Sequence, residues 1–254
     1  MTAARRLRSA PADCALALSF LTIVPVPFGA MRRADLDGAA AWFPLVGALV
    51  GAAAGGARIG LEPVFGTTVA SVAALVVLVA LTGALHQDGL ADSADGLGVR
   101  GDRERRLEVM RDSAIGVFGM LALLGWGLLL VAALANLSNR HAFEALIAAA
   151  ALARWTALVH AIATPPARRD GLGAGFTVTT PSLVAATILA LAAALLSAGI
   201  GRGLIAAGAA ALVALASIAW ARHAIGGRTG DTLGATVAIA EAATVLALLA
   251  AWNA

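Results

Sequence analysis

The sequence predicts an all-α bundle of membrane-spanning helices. Of its 254 residues, 60% are hydrophobic, whereas roughly half are apolar in a soluble globular domain. The mean hydropathy is +0.88. Apolar runs of about 20 residues, the length that a helix needs to cross a bilayer, recur along the chain. These runs would use nearly the whole chain, so residues 1–254 are expected to form a single integral-membrane domain.

The composition excludes several classes of function. All 18 basic residues are Arg, which removes lysine nucleophiles and Schiff-base chemistry. Cys14 is the only cysteine, so disulfides and CxxC redox pairs are excluded. The four His residues show no HExxH spacing, which argues against a zinc site. The net charge of +3 lies in short loops between apolar runs, a pattern that sets membrane topology and does not indicate a nucleic-acid partner.

The first apolar stretch, residues 12–28, is shorter than a transmembrane helix and is interrupted by Pro25 and Pro27. Arg residues flank it on both sides, which favours a re-entrant or interfacial segment over a span. No small-residue cleavage site follows it, so we expect no removed signal peptide. The flanking residues are Arg5, Arg6, Arg8, Arg32 and Arg33.

Seven further runs are long enough to be transmembrane helices. They are rich in Ala and Gly, which allow helices to approach closely in lipid, so their low complexity needs no repeat or disorder to explain it. The sequence leaves the oligomeric state open, a homo-oligomer included. The runs are residues 39–61, 66–85, 114–137, 144–164, 181–200, 203–221 and 233–252.

The loops between these runs alternate between Arg-rich and Arg-poor. Arg-rich loops stay in the cytoplasm, so we expect the N-terminus and residues 88–113, 165–180 and 222–232 to lie on the cytoplasmic face of the membrane. The alternate connections carry only Arg58, Arg140 and Arg202, and we expect them to face outward.

The densest polar cluster, residues 86–98, directly follows the second predicted span. It begins with His86 and contains Asp88, Asp92 and Asp95, whose i, i+4, i+7 spacing places three carboxylates on one face of a helix. Carboxylates placed in this way repel each other, and Mg²⁺ is typically held by one or two carboxylates together with substrate phosphate oxygens. A solvated acidic loop is the alternative, but the position at a membrane boundary favours a Mg²⁺ site.

A second polar segment, residues 105–119, returns the chain to the membrane. Asp112 and Ser113 stand at the start of the third predicted span, where either could be the helix N-cap. A helix N-terminus also favours phosphate, so a cap and a catalytic role are compatible. Arg111, next to Asp112, is the best candidate among the Arg residues of this segment for a phosphate contact. Those Arg residues could equally be topology signals.

The third polar segment, residues 225–235, leads into the last predicted span. Its glycines allow close approach of the backbone to a ligand, and Arg228 and Asp231 are its charged groups. Asp231 or Thr232 could also be no more than a helix cap.

Two charges fall inside the predicted spans, Arg154 in the fourth and Glu241 in the last. Both lie roughly 12–15 Å from the same membrane face at about 1.5 Å per residue. Because a lone charge in lipid is costly, we expect the two to pair. The alternative is that each faces a separate watery cavity, or that Glu241 helps to bind substrate.

Taken in order, these segments resemble the cobalamin synthase family, also called adenosylcobinamide-GDP ribazoletransferase. The resemblance covers most of the chain, and Gln87, where many relatives have an apolar residue, touches no proposed ligand. The matching motifs are LTxxPVP at residues 21–27, FPLxG at 43–47, HxDGLADxxDG at 86–96, LExMRDSxxGxxG at 107–119 and GGxTGDxLGA at 226–235, followed by Glu241.

The resemblance implies that the 3′-hydroxyl of α-ribazole 5′-phosphate attacks the corrinoid-side phosphorus of adenosylcobinamide-GDP, so that GMP leaves and a phosphodiester forms. It implies Mg²⁺ at Asp88, Asp92 and Asp95, and Asp112 as the candidate base. Candidate phosphate contacts are Arg111 and Arg228. Asp231 would complete the metal shell or orient a ribose, and His86 is grouped with Arg228 and Asp231 as a ligand-binding residue.

Two other classes of membrane protein, the CDP-alcohol phosphotransferases and the transporters, share parts of this pattern. A CDP-alcohol phosphotransferase also uses spaced aspartates at a membrane face, but residues 88–92 lack the Arg of its DGxxAR motif. A transporter would carry acidic residues near mid-span. Most acidic residues here lie in the predicted cytoplasmic loops, which favours an enzyme.

Overall fold

A computed structural model of the chain describes residues 3–26 and 36–254. Within these residues the secondary structure is helical, apart from turns and one isolated β-bridge between Pro166 and Arg228. The predicted all-α class is therefore confirmed. The helices are α1 (Ala3–Leu21), α2 (Leu36–Ala40), α3 (Phe43–Leu81), α4 (Leu85–Gly98), α5 (Arg103–Val109), α6 (Val117–Ala135), α7 (Asn139–Ala163), α8 (Leu172–Gly175), α9 (Thr180–Ala198), α10 (Ile200–Ile225) and α11 (Gly230–Asn253).

Six of the described helices are long and apolar enough to cross a membrane, namely α3, α6, α7, α9, α10 and α11. Helix α3 has 39 residues and is not a single span, because its backbone leaves the helical region at Gly66, with φ 77° and ψ 169°. Only glycine adopts such a conformation readily. The helix thus consists of two arms, residues 43–65 and 67–81.

The two arms of α3 run in opposite directions. Arg58 Nε donates to Ser71 Oγ at 3.2 Å, a distance that a continuous helix forbids for residues 13 positions apart. Both ends of α3 also reach the end of α1: the rings of Phe20 and Phe43 are 5.7 Å apart, and Ile23 N donates to Leu81 O at 2.9 Å. Counting the arms separately gives seven apolar segments, but the second arm is shorter than the roughly 20 residues of a span, so the number of seven spans stays a prediction.

Some predicted boundaries were wrong by a few residues. The second span ends at Leu81 and not at residue 85, because Gly83 and Ala84 both have φ of 58° and turn the chain into α4. Helix α6 begins at Val117 and not at residue 114, since residues 112–116 form a turn.

The N-terminal helix α1 contains an apolar stretch, Ala10–Leu21, that is too short to span a membrane. This agrees with the short segment predicted from residues 12–28, of which residues 27 and 28 lie outside the described residues, as do Arg32 and Arg33. Its assignment as re-entrant or interfacial stays a prediction.

The bundle has two ends, which we call the site end and the far end. The site end holds the connections between spans at residues 82–116, 164–179 and 226–229; the far end holds the turn at Gly66 and residues 136–138 and 199. At the far end, Arg58 donates to the carbonyls of Leu134 and Leu137 at 3.1 and 2.8 Å. The Arg-rich loops therefore lie together at the site end, as the alternation along the sequence predicts.

Helices α7 and α11 form the centre of the bundle. In their most apolar windows, 78% and 67% of residues are buried, against 22–28% in the other spans, whose apolar side chains remain available to lipid. Glycines of α3 allow close packing against α7: a Cβ at Gly55 would lie 3.0 Å from the Cα of Phe143. Helix α7 of this central pair carries Arg154, which forms part of the floor of the site.

Candidate active site

Helix α4 places the predicted carboxylates on one helical face. Leu85–Gly98 is a continuous helix, so Asp88, Asp92 and Asp95 follow each other at helical spacing as predicted. Asp88 is exposed, while Asp92 and Asp95 are half-buried.

Glycines hold α4 against the start of α11. A Cβ at Gly89 would lie 2.6 Å from the carbonyl oxygen of Asp231 and 3.1 Å from the Cα of Gly234, so no larger residue fits there without movement. The first and third polar segments, which are more than 120 residues apart in sequence, therefore meet at this contact. The contact adds Asp231 to the carboxylates of α4, and we call Asp88, Asp92, Asp95 and Asp231 the acidic cluster.

Burial and the other carboxylates of the acidic cluster raise the pKa of Asp92. Burial, followed by the negative charges of Asp88, Asp231 and Asp95, raises the pKa of Asp92 to about 7, and the positive charge of Arg168 opposes this rise. Repulsion of this kind is relieved by a proton or by a cation. The arrangement therefore favours binding of a hard divalent ion.

Asp95 also caps a neighbouring helix, which the sequence did not predict. Its carboxylate accepts hydrogen bonds from the backbone N–H of Gly116 at 2.7 Å and of Gly119 at 2.9 Å. Gly116 is the N-cap of α6 and has no side chain of its own to satisfy these amides. Asp95 thus caps the third span from a neighbouring helix, and its role as a metal ligand stays a prediction.

Within residues 3–26 and 36–254, no three His, Cys, Asp or Glu side chains converge closely enough to hold a metal ion by themselves. An open site fits the donors that are present, since Mg²⁺ keeps several waters and is commonly bound by one or two carboxylates plus substrate phosphates. Asp88 and Asp92, with Asp231 beside them, provide oxygen donors of this type.

Arg168 is the cation of the site, and sequence analysis treated it only as a topology residue. Its Nη2 lies 3.2 Å from Oδ2 of Asp231. Its Nη1 is buried and has no hydrogen-bond partner among the described residues. A guanidinium with one free N–H group beside carboxylates is suited to contact a phosphate bound by the same metal. Nothing local in the sequence distinguishes it from its neighbour Arg169.

Arg228 holds two loops together. Its backbone N donates to Pro165 O at 2.8 Å, and its guanidinium donates to the carbonyls of Gly173 at 3.1 Å and Phe176 at 2.8 Å and also to that of Thr164. The residue is only 6% exposed. These bonds fix the loop that carries Arg168. The prediction that Arg228 contacts phosphate stays a prediction, and the free N–H group of Arg168 fits that task better.

The start of α11 is capped by Thr229, whose side chain accepts from Thr232 N at 3.2 Å while the Thr232 hydroxyl accepts from Thr229 N at 3.0 Å. Thr232 thus takes part in the capping box, as the alternative from the sequence allowed. Asp231 is not the cap residue, so its carboxylate is free to face Arg168.

Asp112 and Arg111 lie apart from the cleft described below. Asp112 is exposed, and its Oδ1 accepts from Ala114 N at 3.0 Å, so the alternative that it caps the third span was wrong. Arg111 Nη2 pairs with the two carboxylate oxygens of Asp170 at 2.8 and 3.0 Å on an exposed surface. Their roles as base and phosphate contact stay predictions.

A cleft of about 230 Å³ enters the bundle between α1, α3, α4, α7 and α11, beside the acidic cluster. Asp88, Asp231 and Arg168 are the charged groups at the mouth. The walls are apolar, and the residues that form them are Phe20, Leu21, Phe43, Leu85, Ala157, Phe176, Leu233 and Val237.

The floor of the cleft is polar. It contains His86 and Arg154, which are 3% and 1% exposed. Arg154 Nη1 pairs with Oε1 of Glu241, which confirms the predicted ion pair, while Arg154 Nε, Arg154 Nη2, Glu241 Oε2 and His86 Nδ1 have no partner among the described residues. Burial, and then the charge of Arg154, hold the pKa of His86 well below its ordinary value, so the imidazole is neutral at pH 7.

Comparison with known proteins gives a consistent result. Residues 13–249 match the family model described as cobalamin-5-phosphate synthase. The chain is 42% identical over 253 residues to adenosylcobinamide-GDP ribazoletransferase of Azorhizobium caulinodans, covering 94% of this chain and 95% of that protein. It is 37% identical to the proteins of the same name from Klebsiella pneumoniae, covering 92% and 97%, and from Roseiflexus sp., covering 91% and 87%. No solved structure matches the chain.

Proposed function

The chain belongs to the cobalamin-5-phosphate synthase family, and from that premise we propose that it joins adenosylcobinamide-GDP to α-ribazole 5′-phosphate with release of GMP. The ribose 3′-oxygen forms a bond to the corrinoid-side phosphorus, and the bond from that phosphorus to the bridging oxygen of GMP breaks. The observation that carries this proposal is the position of Asp88, Asp231 and Arg168 at the mouth of an apolar cleft. The negative charge of a pyrophosphate must be balanced by cations. The apolar cleft beside these charged groups can hold an aromatic part of a substrate.

The acidic cluster supports a role for Mg²⁺. Asp88 and Asp92 would hold the ion, and Asp231 would complete its shell or orient a ribose. When bound, such an ion neutralises charge on the pyrophosphate and on the departing GMP. Asp95 contributes by capping α6, which fixes the position of the second polar segment relative to α4.

Arg168 supplies the cationic contact. Asp231 holds one of its nitrogens, which orients the guanidinium, and the free Nη1 donates to a phosphate oxygen of the pyrophosphate. For the proton of the attacking hydroxyl, Asp112 remains our candidate acceptor, with Arg111 beside it. Both lie on the site-end loop that precedes α6.

We place the reaction on the cytoplasmic face of the inner membrane. The loops at the site end carry eight of the 16 Arg residues of the described chain, and Arg-rich loops stay in the cytoplasm. The nucleotide substrates would reach the mouth of the cleft from that side.

The proposal is tested with purified protein in detergent or lipid nanodiscs. Given adenosylcobinamide-GDP, α-ribazole 5′-phosphate and Mg²⁺, it should release GMP and form a corrinoid phosphodiester in equal amounts, both measured by chromatography. Omitting α-ribazole 5′-phosphate or adding EDTA should stop both. GMP release that needs no second substrate would show hydrolysis, and release in EDTA would remove the metal from the proposal.

A further inference from the structure

Three phenylalanines from distant parts of the chain line the cleft with nearly parallel rings. Phe43 lies 5.7 Å from Phe20 and 5.7 Å from Phe176, and the latter two are 6.3 Å apart, measured between ring centroids. The interplanar angles are 17°, 16° and 2°. Parallel rings on one wall present a preferred plane in which a flat aromatic ligand can stack.

The volume of the cleft limits what enters it. At about 230 Å³ it lies below the roughly 300–1,000 Å³ typical of sites for drug-sized ligands. One bicyclic aromatic ring is of a suitable size, whereas a corrin macrocycle is far too large. The corrin ring must therefore remain outside, and a single planar base is of a size that fits inside.

The floor of the cleft contains buried hydrogen-bond donors that have no partner among the described residues. Arg154 Nε and Nη2 are buried donors without a partner among the described residues, and His86 Nδ1 beside them is likewise unpaired. Buried donors need a partner. Because Glu241 already balances the charge of Arg154, a neutral acceptor suits this floor better than a second anion. Arg154 lies nine residues from the site-end terminus of α7, which is roughly 14 Å along the helix at about 1.5 Å per residue.

We propose that the cleft binds the benzimidazole base of the ribazole substrate, with one donor of the floor, from Arg154 or His86, bonding to its unsubstituted ring nitrogen. In an N-riboside of benzimidazole this nitrogen is the only acceptor of the base, and it points away from the bond to the ribose. With the ribose at the mouth beside Asp231, the nitrogen therefore faces the floor. The benzo ring lies against the phenylalanines, and the 3′-hydroxyl remains at the acidic cluster. This inference rests on the proposed function for the identity of the ligand.

The first test measures binding without catalysis. Isothermal titration calorimetry of α-ribazole into the purified protein should show that Phe20→Ala and Phe176→Ala weaken affinity about tenfold, the scale of base stacking on an aromatic side chain. Phe65→Ala is the matched control, because Phe65 is 57% exposed beside the far-end turn, and it should leave affinity unchanged. Unchanged affinity in both cleft variants would overturn the proposal.

The second test uses the wild-type protein, so that folding of a variant is not in question. An analogue of α-ribazole 5′-phosphate with indole in place of benzimidazole keeps the shape and loses the ring-nitrogen acceptor. We expect its KM to rise at least tenfold while the KM for adenosylcobinamide-GDP stays within about twofold, since a site with buried donors rejects a ligand that leaves them unpaired. An equal KM for the analogue would remove Arg154 and His86 from base recognition.

The same measurements separate this inference from the proposed function. If α-ribazole binds and the Phe variants weaken it, but no GMP is released with Mg²⁺, the reaction is wrong and the subsite stands. If GMP is released and only the KM for adenosylcobinamide-GDP responds to Phe20→Ala and Phe176→Ala, the reaction stands and the cleft belongs to the other substrate.

Discussion

Arg154 and Glu241 form an ion pair at the centre of the bundle, 87 positions apart in sequence and each 1% exposed. Arg154 lies nine residues from the site-end terminus of α7, and Glu241 lies 11 residues into α11, which places them roughly 14 and 16 Å from that end. The sequence predicts this pair because the two residues lie at a similar depth in the membrane. The structure adds that Arg154 also forms part of the cleft floor, so the pair joins the stability of the two central helices to the substrate site.

Neutralising one member of this pair should be worse than neutralising both. Removing one partner of a buried pair costs about 3–5 kcal/mol, because an uncompensated charge stays buried. We expect Arg154→Met and Glu241→Gln each to lower the folded yield and the unfolding temperature, and the double variant to recover part of the loss.

The check is a double-mutant cycle on thermal unfolding. Arg140 and Glu144 serve as the control pair, since they lie at the far end, 2.7 Å apart, with side chains 84% and 17% exposed. Removing that pair should change the unfolding temperature little, because water screens an exposed ion pair. Strictly additive losses for Arg154 and Glu241 would mean that they contribute independently.

Asp88→Asn and Asp92→Asn should each abolish most activity while the protein still inserts and accumulates. The change removes negative oxygen donors on an accessible helix face and leaves the packing of α4 intact. We expect GMP release to fall on the order of 100-fold or more, the scale for losing a group that stabilises charge in the transition state. Glu144→Gln at the far end is the control. Full activity of both variants at saturating Mg²⁺ would reduce the acidic cluster to a solvated surface.

Binding of divalent cations should weaken as the pH falls through about 7. Burial and the neighbouring carboxylates raise the pKa of Asp92 to about 7, so below that pH the group holds a proton that a cation must displace. Above that pH the carboxylate is charged and the competition ends. We expect the dissociation constant for Mn²⁺, measured by electron paramagnetic resonance on the purified protein, to be roughly tenfold higher at pH 6 than at pH 8. A constant value across this range would exclude Asp92 as a ligand.

Gly89→Ala should separate α4 from α11 and disable the site. The new Cβ would lie 2.6 Å from the Asp231 carbonyl oxygen, which is backbone and cannot rotate away. We expect strong loss of GMP release, together with a lower unfolding temperature. Gly60→Ala is the matched helical control, because its Cβ would meet nothing within 4 Å, and it should be neutral or stabilise the protein by up to about 1 kcal/mol. Normal activity of Gly89→Ala would show that this close approach is not required.

Single cysteines should report the two ends of the bundle from opposite sides of the membrane. In a Cys14→Ala background, Gly101→Cys lies on an exposed site-end loop and Arg140→Cys on the exposed far end. An impermeant thiol reagent applied to intact cells should label only Arg140→Cys, because the Arg-rich site end is expected in the cytoplasm. The opposite labelling would invert the proposed orientation, and labelling of both would contradict the separation of the ends.

Features of the fold and site that depend on local sequence were predictable. The length and hydropathy of each run gave the spans, since crossing a bilayer is a requirement on consecutive residues. The 3.6-residue period placed Asp88, Asp92 and Asp95 on one face of α4. The depth of a residue in the membrane also follows from its position within its own span. The pairing of Arg154 with Glu241 could therefore be predicted from the sequence.

The remaining features depend on contacts between segments that are distant in sequence. Asp95 caps α6 because that helix begins at a glycine, so the amides find a carboxylate on another helix. Arg168 lies beside Asp231 only because Arg228 holds the loop that carries it. The three phenylalanines come from α1, α3 and the loop after α8, and they contact one another only in the folded bundle.

The sequence by itself therefore determined the membrane class, the spans, the family resemblance and the acidic face of α4. The tertiary structure decided which charged groups share the site, which of them serve as caps or loop supports, and where the apolar cleft opens. The physical reason is that hydropathy and helical period are properties of neighbouring residues, whereas the approach of α4 to α11 depends on whether Gly89 and Gly234 leave room between two backbones.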